Sequence, residues 1–314
     1  MAPPSTSLSR LGQINTAGAD DALFLTQFGG EILTEFERTN VFKSRSFVRQ
    51  ISHGKSAQFP MIGSVGSAYH TPGEWIDGGA INHAQMILTV DGLLYSKLFI
   101  AQLDELENHY DVRGPYAAEL GRELAKQFDM NVARMGILAA RTTVNPLTGR
   151  AGGETISNAA MDTSSTAISA ALFSAAQKFD EKNVPEADRN AFFKPAHYYL
   201  CAADTNLINK DWGGRGEIAK GSFESLAGLT IVKTNHLPTA NDTANAALKP
   251  AYQADYRGVV GLVMNKMAVG TVQLMDISLE SAWEIRTQGH FMIAKMAVGH
   301  GKLRVECAIE LKDI

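Results

Sequence analysis

Few residues in this 314-residue chain are spaced as catalytic or ligand-binding chemistry requires. Gly54-Lys55-Ser56 has the ending of a phosphate-binding loop, in which backbone N–H groups and a lysine cradle an anion. That motif needs a glycine five residues before its second glycine, and position 49 is Arg. Gly214-Arg215-Gly216-Glu217-Ile218-Ala219 matches the dinucleotide fingerprint loosely, but it follows Lys210-Asp211-Trp212-Gly213 instead of a strand, so nothing orients a helix N-terminus at a pyrophosphate. There is no G-x-S-x-G elbow, and the eight histidines form no H-x-H, no H-E-x-x-H and no i,i+4 pair. Each histidine therefore reads as a surface or satisfied core residue, and metal binding is unsupported. Asp104, Glu105 and Glu107 precede a helix, where its dipole favours negative charge; they and Glu280 and Glu284 need no catalytic role. Asn241-Asp242-Thr243 is a sequon that a cytoplasmic protein would not use. No cofactor and no enzymatic activity are expected. The enzyme alternative is an α/β protein using the loop near Trp212 to Gly216 or the His236 region, and the strand-then-glycine-rich-helix order it requires is missing.

Bulk properties narrow the class further. A net charge of −4 and a pI near 6.1 exclude the overall basic field that drives sequence-independent nucleic-acid binding. Cys201 and Cys307 are too far apart in sequence to suggest a zinc knuckle, form no disulfide framework, and read as buried apolar residues in a reducing compartment. The first residues lack the apolar core of a signal peptide, and the later apolar runs are broken by Asp91, Lys97, Asn265 and Lys266. The expectation is a soluble protein made inside the cell.

The stretch that must position everything else is Arg113 to Arg141. Tyr116, Leu120, Leu124, Phe128 and Val132 recur every fourth residue, with Ala117, Ala125, Met135 and Leu138 beside them and Arg122, Glu123, Lys126 and Arg134 off the stripe. Pro115 suits the first turn, and the rod would run roughly 40 Å. Its polar edge, Arg122, Lys126 and Arg134, is expected to face outward or across a subunit boundary.

Around this rod the chain changes character several times. Residues 1 to 20 carry almost no apolar bulk and read as a flexible arm. Two short amphipathic helices broken at Gly29 and Gly30 follow, with Leu23, Phe24, Phe28, Ile32, Leu33 and Phe36 needing cover. Ser44 to Gly63 and Ile81 to Leu103 are extended runs separated by a glycine-rich segment, which predicts a long two-stranded hairpin with a broad tip. A hairpin this long, with Tyr69, Trp75 and Ile76 at its tip, either docks on a neighbouring copy or folds back on its own domain. After the rod come a turn-rich connector and a helix from about Thr163 to Lys182, with Ile168, Leu172, Ala175 and Phe179 on one face. Short alternating strands and helices follow, then strands over Thr271–Asp276, Ser278–Thr287, His290–Val298 and Leu303–Leu311.

This running order of arm, hairpin, spine helix, α/β segment and returning strands resembles the Hong Kong 97-type coat fold of tailed phages. The blocks FGGEILTEFERTNV (Phe28 to Val41), ISHGKSAQFP (Ile51 to Pro60), NHYDVR (Asn108 to Arg113), VPEADR (Val184 to Arg189), NHLP (Asn235 to Pro238), AVGTVQL (Ala268 to Leu274) and IAKMAVGHGKLR (Ile293 to Arg304) are similar to major capsid proteins of autographivirus-type podophages. They fall in order from Phe28 to Arg304. The resemblance implies an α+β coat protein with a residue 1–44 N-terminal arm and a 45–100 extended loop. The peripheral domain would take 101–187 and 272–298, and the axial α/β domain 188–271 and 299–314.

It implies a structural protein of the virion capsid, made and assembled in the host bacterial cytoplasm. Its partners would be other copies of itself in hexamers and pentamers, a scaffolding protein, a portal at one vertex and, where present, a decoration protein. The shell would enclose double-stranded DNA without reading its sequence, and would involve no membrane. Tyr69, His70, Trp75 and Ile76 are expected to contact a neighbour through the loop tip, and Phe24, Phe28, Ile32 and Phe36 through the arm. Tyr116, Leu120, Leu124, Phe128 and Val132 would pack the spine. Some coats of this fold are cross-linked by a loop lysine; no Lys or Arg lies between Ser56 and Ser96, so a non-covalent shell is expected. An encapsulin-like compartment shell shares the architecture and is the alternative within the fold.

Overall fold

The computed structural model describes residues 32, 35–36, 39–63, 65–103, 113–147, 149–204, 216–217 and 222–313. The expected arm from 1 to 20, with Leu23, Phe24, Phe28 and Leu33, lies outside the described residues, as does most of the loop near Trp212. In chain order the elements begin with strands β1 (Phe47–Gln50), β2 (Ser56–Ile62), β3 (His83–Thr89) and β4 (Gly92–Ala101). Helix α1 (Arg113–Ala140) follows, then β5 (Glu154–Ser157), α2 (Ser165–Glu181), β6 (Arg189–Phe193) and α3 (Pro195–Ala202). The remaining strands are β7 (Gly216–Glu217), β8 (Ser222–Phe223), β9 (Ser225–Leu226), β10 (Leu229–Lys233), β11 (Val259–Asn265), β12 (Val269–Glu284), β13 (Gly289–Lys302) and β14 (Ala308–Lys312).

Two sheets carry the structure: a six-stranded one ordered β5-β14-β11-β6-β10-β9 and a four-stranded one ordered β1-β12-β13-β4. In the first, β6 and β11 are buried along their whole length, which is why RNAFF and VVGLVMN do not alternate polar and apolar. Helix α2 covers part of that sheet with Ile168, Leu172, Ala175 and Phe179, all buried as the four-residue spacing predicts. The Ser164 hydroxyl caps it, accepting from the Ala167 N–H.

Helix α1 touches both sheets. Its first half keeps one apolar stripe, with Leu120 and Leu124 buried and Arg122, Glu123 and Lys126 exposed. Its second half is buried all round from Val132 to Ile137, because there it also meets the six-stranded sheet. Phe128 meets the His300 ring of β13 edge-on at 4.8 Å, while the Gly136 backbone lies against Leu262 of β11. The expectation for Arg134 is therefore corrected. Its guanidinium is buried and donates to Asp242 Oδ2 at 2.9 Å. One residue past the helix, Arg141 makes a two-pronged contact with Glu310 of β14, at 2.8 and 2.6 Å, and donates to the Asp255 carbonyl at 2.6 Å. Such a fork matches a carboxylate, and here it leaves the buried Glu310 charge matched.

Three other expectations change. The two extended runs do not form one long hairpin: β2 pairs with β3 from Ser56↔Thr89 to Ile62↔His83, but β1 runs parallel to β12 and β4 antiparallel to β13. The strands Thr271–Asp276 and Ser278–Thr287 are one strand, β12, kinked by register shifts around Met275. The connector after the rod holds β5, which joins β14 as an edge strand. With α2, β5 draws part of 101–187 onto the six-stranded sheet.

Candidate assembly surfaces

The hairpin is anchored at its base and free at its tip. Along β2 the burial alternates, with Ala57, Phe59 and Met61 inward and Ser56, Gln58, Pro60 and Ile62 outward. Ala57, Phe59 and Leu88 form a small cluster with Val272 of β12 and with Leu303, just past the end of β13. The crossing is close: a Cβ at Gly299 would lie 2.1 Å from the Thr89 carbonyl oxygen, so only glycine lets β3 rest on β13 there. Arg49 ties β1 to β2, donating to the Gln58 carbonyl at 2.7 Å and lying over the Phe59 ring.

The last rung is the Gly63 N–H to the Asn82 carbonyl at 2.8 Å. Beyond it the tip has no strand, and its large side chains stand in solvent: Trp75 is 96% exposed and Ile76 79%, with Tyr69 and His70 equally uncovered. Of the two readings of the tip, folding back on its own domain is absent here. The four residues are brought together on one projecting loop and touch no part of the subunit's core.

The end of the arm behaves differently. Ile32 and Phe36, expected to contact a neighbour, are buried on the chain's own spine, Phe36 edge-on to Phe128 at 6.0 Å. The Ile32 carbonyl crosses so near α1 that a Cβ at Gly121 would lie 2.7 Å from it. A single helix covered by one sheet leaves a face free, and the helical turn through Ile32, Glu35 and Phe36 closes it. Glu35 accepts from Arg122 Nε at 2.8 Å on the exposed rim.

Sequence reasoning missed the residue that fixes this exit. Asp129 of α1 is fully buried and accepts the backbone N–H groups of Val41 and Phe42 at 2.8 and 3.1 Å, and its Oδ2 lies 2.8 Å from His236 Nδ1. Burial pushes its pKa up, against the pull of these hydrogen bonds. A polar residue on a helix is ordinary in a sequence, and its partners lie 88 and 107 positions away, so no local signal marks it. The spine residues Leu120, Leu124, Phe128 and Val132 are buried and Tyr116 partly so, packed against the same core.

The remaining titratable groups point to packing instead of chemistry. Burial drives the Cys201 and Cys307 thiols up to about 12, away from the thiolate a nucleophile needs. Burial also lowers His300 to about 3, so its ring is neutral, 2.9 Å from the Thr271 hydroxyl. Among the described residues no group of three His, Cys, Asp or Glu side chains could hold a metal, and no helix is long and apolar enough to cross a membrane.

Comparison with known proteins agrees with this reading. The Gp10A-like major capsid protein family matches residues 58–312. The chain belongs to that family. It is 37% identical to the major capsid protein of Escherichia phage T7, over 93% of this chain and 92% of that one. To the major capsid protein of Enterobacteria phage T3 it is 35% identical, over 95% and 93%. Its fold superposes on the capsid of cyanophage P-SCSP1u with a TM-score of 0.79 at 43% identity, each chain covered to 98%. The subunit is thus a phage capsid protein of Hong Kong 97-type α+β fold, structural in role, with relatives at 35% identity or more among podophage capsids.

Proposed function

We propose that this chain is the coat subunit of an icosahedral phage shell in which each hairpin tip rests on a neighbouring copy and no covalent link is made. The observation that supports this is the tip itself, where Trp75 and Ile76 are exposed on a loop whose base is firmly seated. Leaving such apolar side chains in water gains nothing for the monomer, whereas covering them is worth about 1.5 to 3 kcal/mol each. Copies would gather as hexamers and pentamers on a scaffolding protein in the bacterial cytoplasm, with a portal at one vertex and double-stranded DNA inside. A net charge of −4 suits a wall that encloses DNA without gripping it. The arm keeps its proposed outward role only through residues before Ile32, Phe24 and Phe28 among them.

The domain division belongs to the same reading. The arm is 1–44 and the extended loop 45–100, with β1 and β4 serving as the loop's roots. The peripheral domain is the four-stranded sheet with α1, and the axial domain is the six-stranded sheet, to which β5 and α2 are best assigned. The compartment-shell alternative is not favoured, because the relatives at 35–43% identity are phage capsids.

The absence of Lys and Arg between Ser56 and Ser96 leaves the tip without the amine that a lysine–asparagine link requires. Boiling purified shells in detergent therefore should release a single monomer band. A ladder of bands above the monomer would overturn the non-covalent reading.

A further inference from the structure

We infer that the tip of one copy's hairpin lands on the basic root of the next copy's hairpin, along the open edge of β1. The inference rests on the tip-docking reading above and names the surface it uses. The hairpin is electrically polarised. From Lys43 to Lys55 there are four basic residues and no acidic one, whereas from Ser56 to Ser96 there are three acidic residues and no Lys or Arg. Of those three, Asp91 is turned inward onto the Tyr252 hydroxyl, so Glu74 and Asp77 carry the charge of the exposed tip.

Among the described residues the root lacks countercharge. Among them Lys43, Arg45, Arg49 and Lys55 have no carboxylate partner. Their contacts are neutral: Arg45 donates to Asn190 Oδ1 and the Val41 carbonyl, Arg49 to the Gln58 carbonyl, and the Lys43 ammonium lies 5.3 Å from the Phe36 ring centroid. A cationic patch with no carboxylate partner among the described residues attracts a surface of opposite sign, and complementary charge both speeds encounter and fixes register.

Shape agrees with charge. β1 is an edge strand hydrogen-bonded on one side only, to β12. Two clefts open along it, one of about 490 Å³ bordered by Arg49, Ile51, Ala57 and Pro60, the other of about 470 Å³ bordered by Lys43, Val48 and Gln50. Each offers apolar wall beside a cation. The tip reads Glu74-Trp75-Ile76-Asp77, two apolar side chains bracketed by two carboxylates. Tryptophan and arginine are the residue types that most often dominate an interface, and an arginine stacks favourably on an indole. The partner is a second copy and not the same chain, because seven paired residues of β2 place the tip roughly 20 Å from its own root. Tip and root are different surfaces, so the contact runs head to tail and closes by rotation into a ring.

The test uses the full chain and follows particle assembly by light scattering and electron microscopy at about 0.1 M salt, where charges within about 10 Å still act. Arg49→Glu with Lys55→Glu sets acid against acid, and Glu74→Lys with Asp77→Lys sets base against base. Each pair is expected to slow assembly about tenfold or more; thermal unfolding of the subunit should stay at the wild-type midpoint for the tip pair and fall slightly for the root pair, which gives up the Arg49 bond to the Gln58 carbonyl, so recovery by the fourfold variant separates the charge effect from that loss. The chain carrying all four substitutions should recover most of the rate, since a reversed tip again faces a reversed root. Wild-type assembly by both pairs, or failure of the fourfold variant to recover, would overturn the pairing. Trp75→Ala run alongside separates the two levels. If that variant fails to assemble while the charge pairs assemble normally, the tip docks elsewhere; if it assembles normally, tip docking itself is lost.

Discussion

The second half of α1 and the tip of the hairpin are opposite solutions to placing side chains. From Val132 to Ile137 the helix is enclosed on every side, and even its charged groups are matched, Arg134 by Asp242 and, just beyond, Arg141 by Glu310. From 65 to 81 the hairpin buries nothing in its own subunit. The first region is determined by the monomer, so its residues can be explained from this chain alone. The second is uncovered in the monomer, and under the proposed tip docking the reason for its apolar residues lies in another copy. Substitutions in the two regions should therefore separate folding from assembly.

The largest effect is expected from Leu124→Asp, which buries an unpaired carboxylate between the spine and its cover. It should cost more than about 4 kcal/mol and leave no folded subunit, read as loss of soluble protein and of a cooperative melt. Arg141→Met comes next. It strands the buried Glu310 charge and should cost about 3 kcal/mol in a urea titration; adding Glu310→Leu should return part of that loss, because an apolar pair replaces an unmatched ion.

A smaller, pH-dependent effect belongs to His300. Its pKa is depressed by burial from 6.5 to about 3, so the folded state holds the neutral ring. The stability tied to that neutral ring is present above pH 6.5 and is lost as the pH falls from 6.5 towards 3, because the unfolded chain takes up the proton first. Urea midpoints at pH 7 and pH 4 should fall further apart for the wild type than for His300→Gln. Equal separations would show that His300 is not what acid attacks.

Much of the enclosed region was legible in the sequence because its periodicity is local. Leu120, Leu124, Phe128 and Val132 mark the spine, and Ile168, Leu172, Ala175 and Phe179 mark α2, without reference to any distant residue. What could not be read depends on remote partners. The run from Ser44 to Gly63 continues through Ile51 to Lys55 without an obvious stop, yet β1 pairs with residues 270–273 and β2 with residues 83–89. Arg134 reads as a surface residue until Asp242 is known to reach it. Likewise, Asp129 looks like an ordinary polar helix residue until Val41, Phe42 and His236 converge on it. β5 is four residues in a glycine-rich connector, too short to alternate visibly, and exists because β14 offers an edge. For the assembly surface the legible part was composition, an aromatic tip without a lysine. The anchoring of the base by Leu88 and Gly299 was not legible, since a glycine's close approach shows only in three dimensions.

The smallest effect on folding and the greatest on assembly should meet in one variant. Trp75→Ala removes a side chain that touches nothing in the subunit, so its thermal midpoint should match the wild type within about 0.5 kcal/mol of stability. Expressed under the same conditions, it should give folded subunits and few closed shells by electron microscopy. Shells of normal number and shape from that variant would contradict the account.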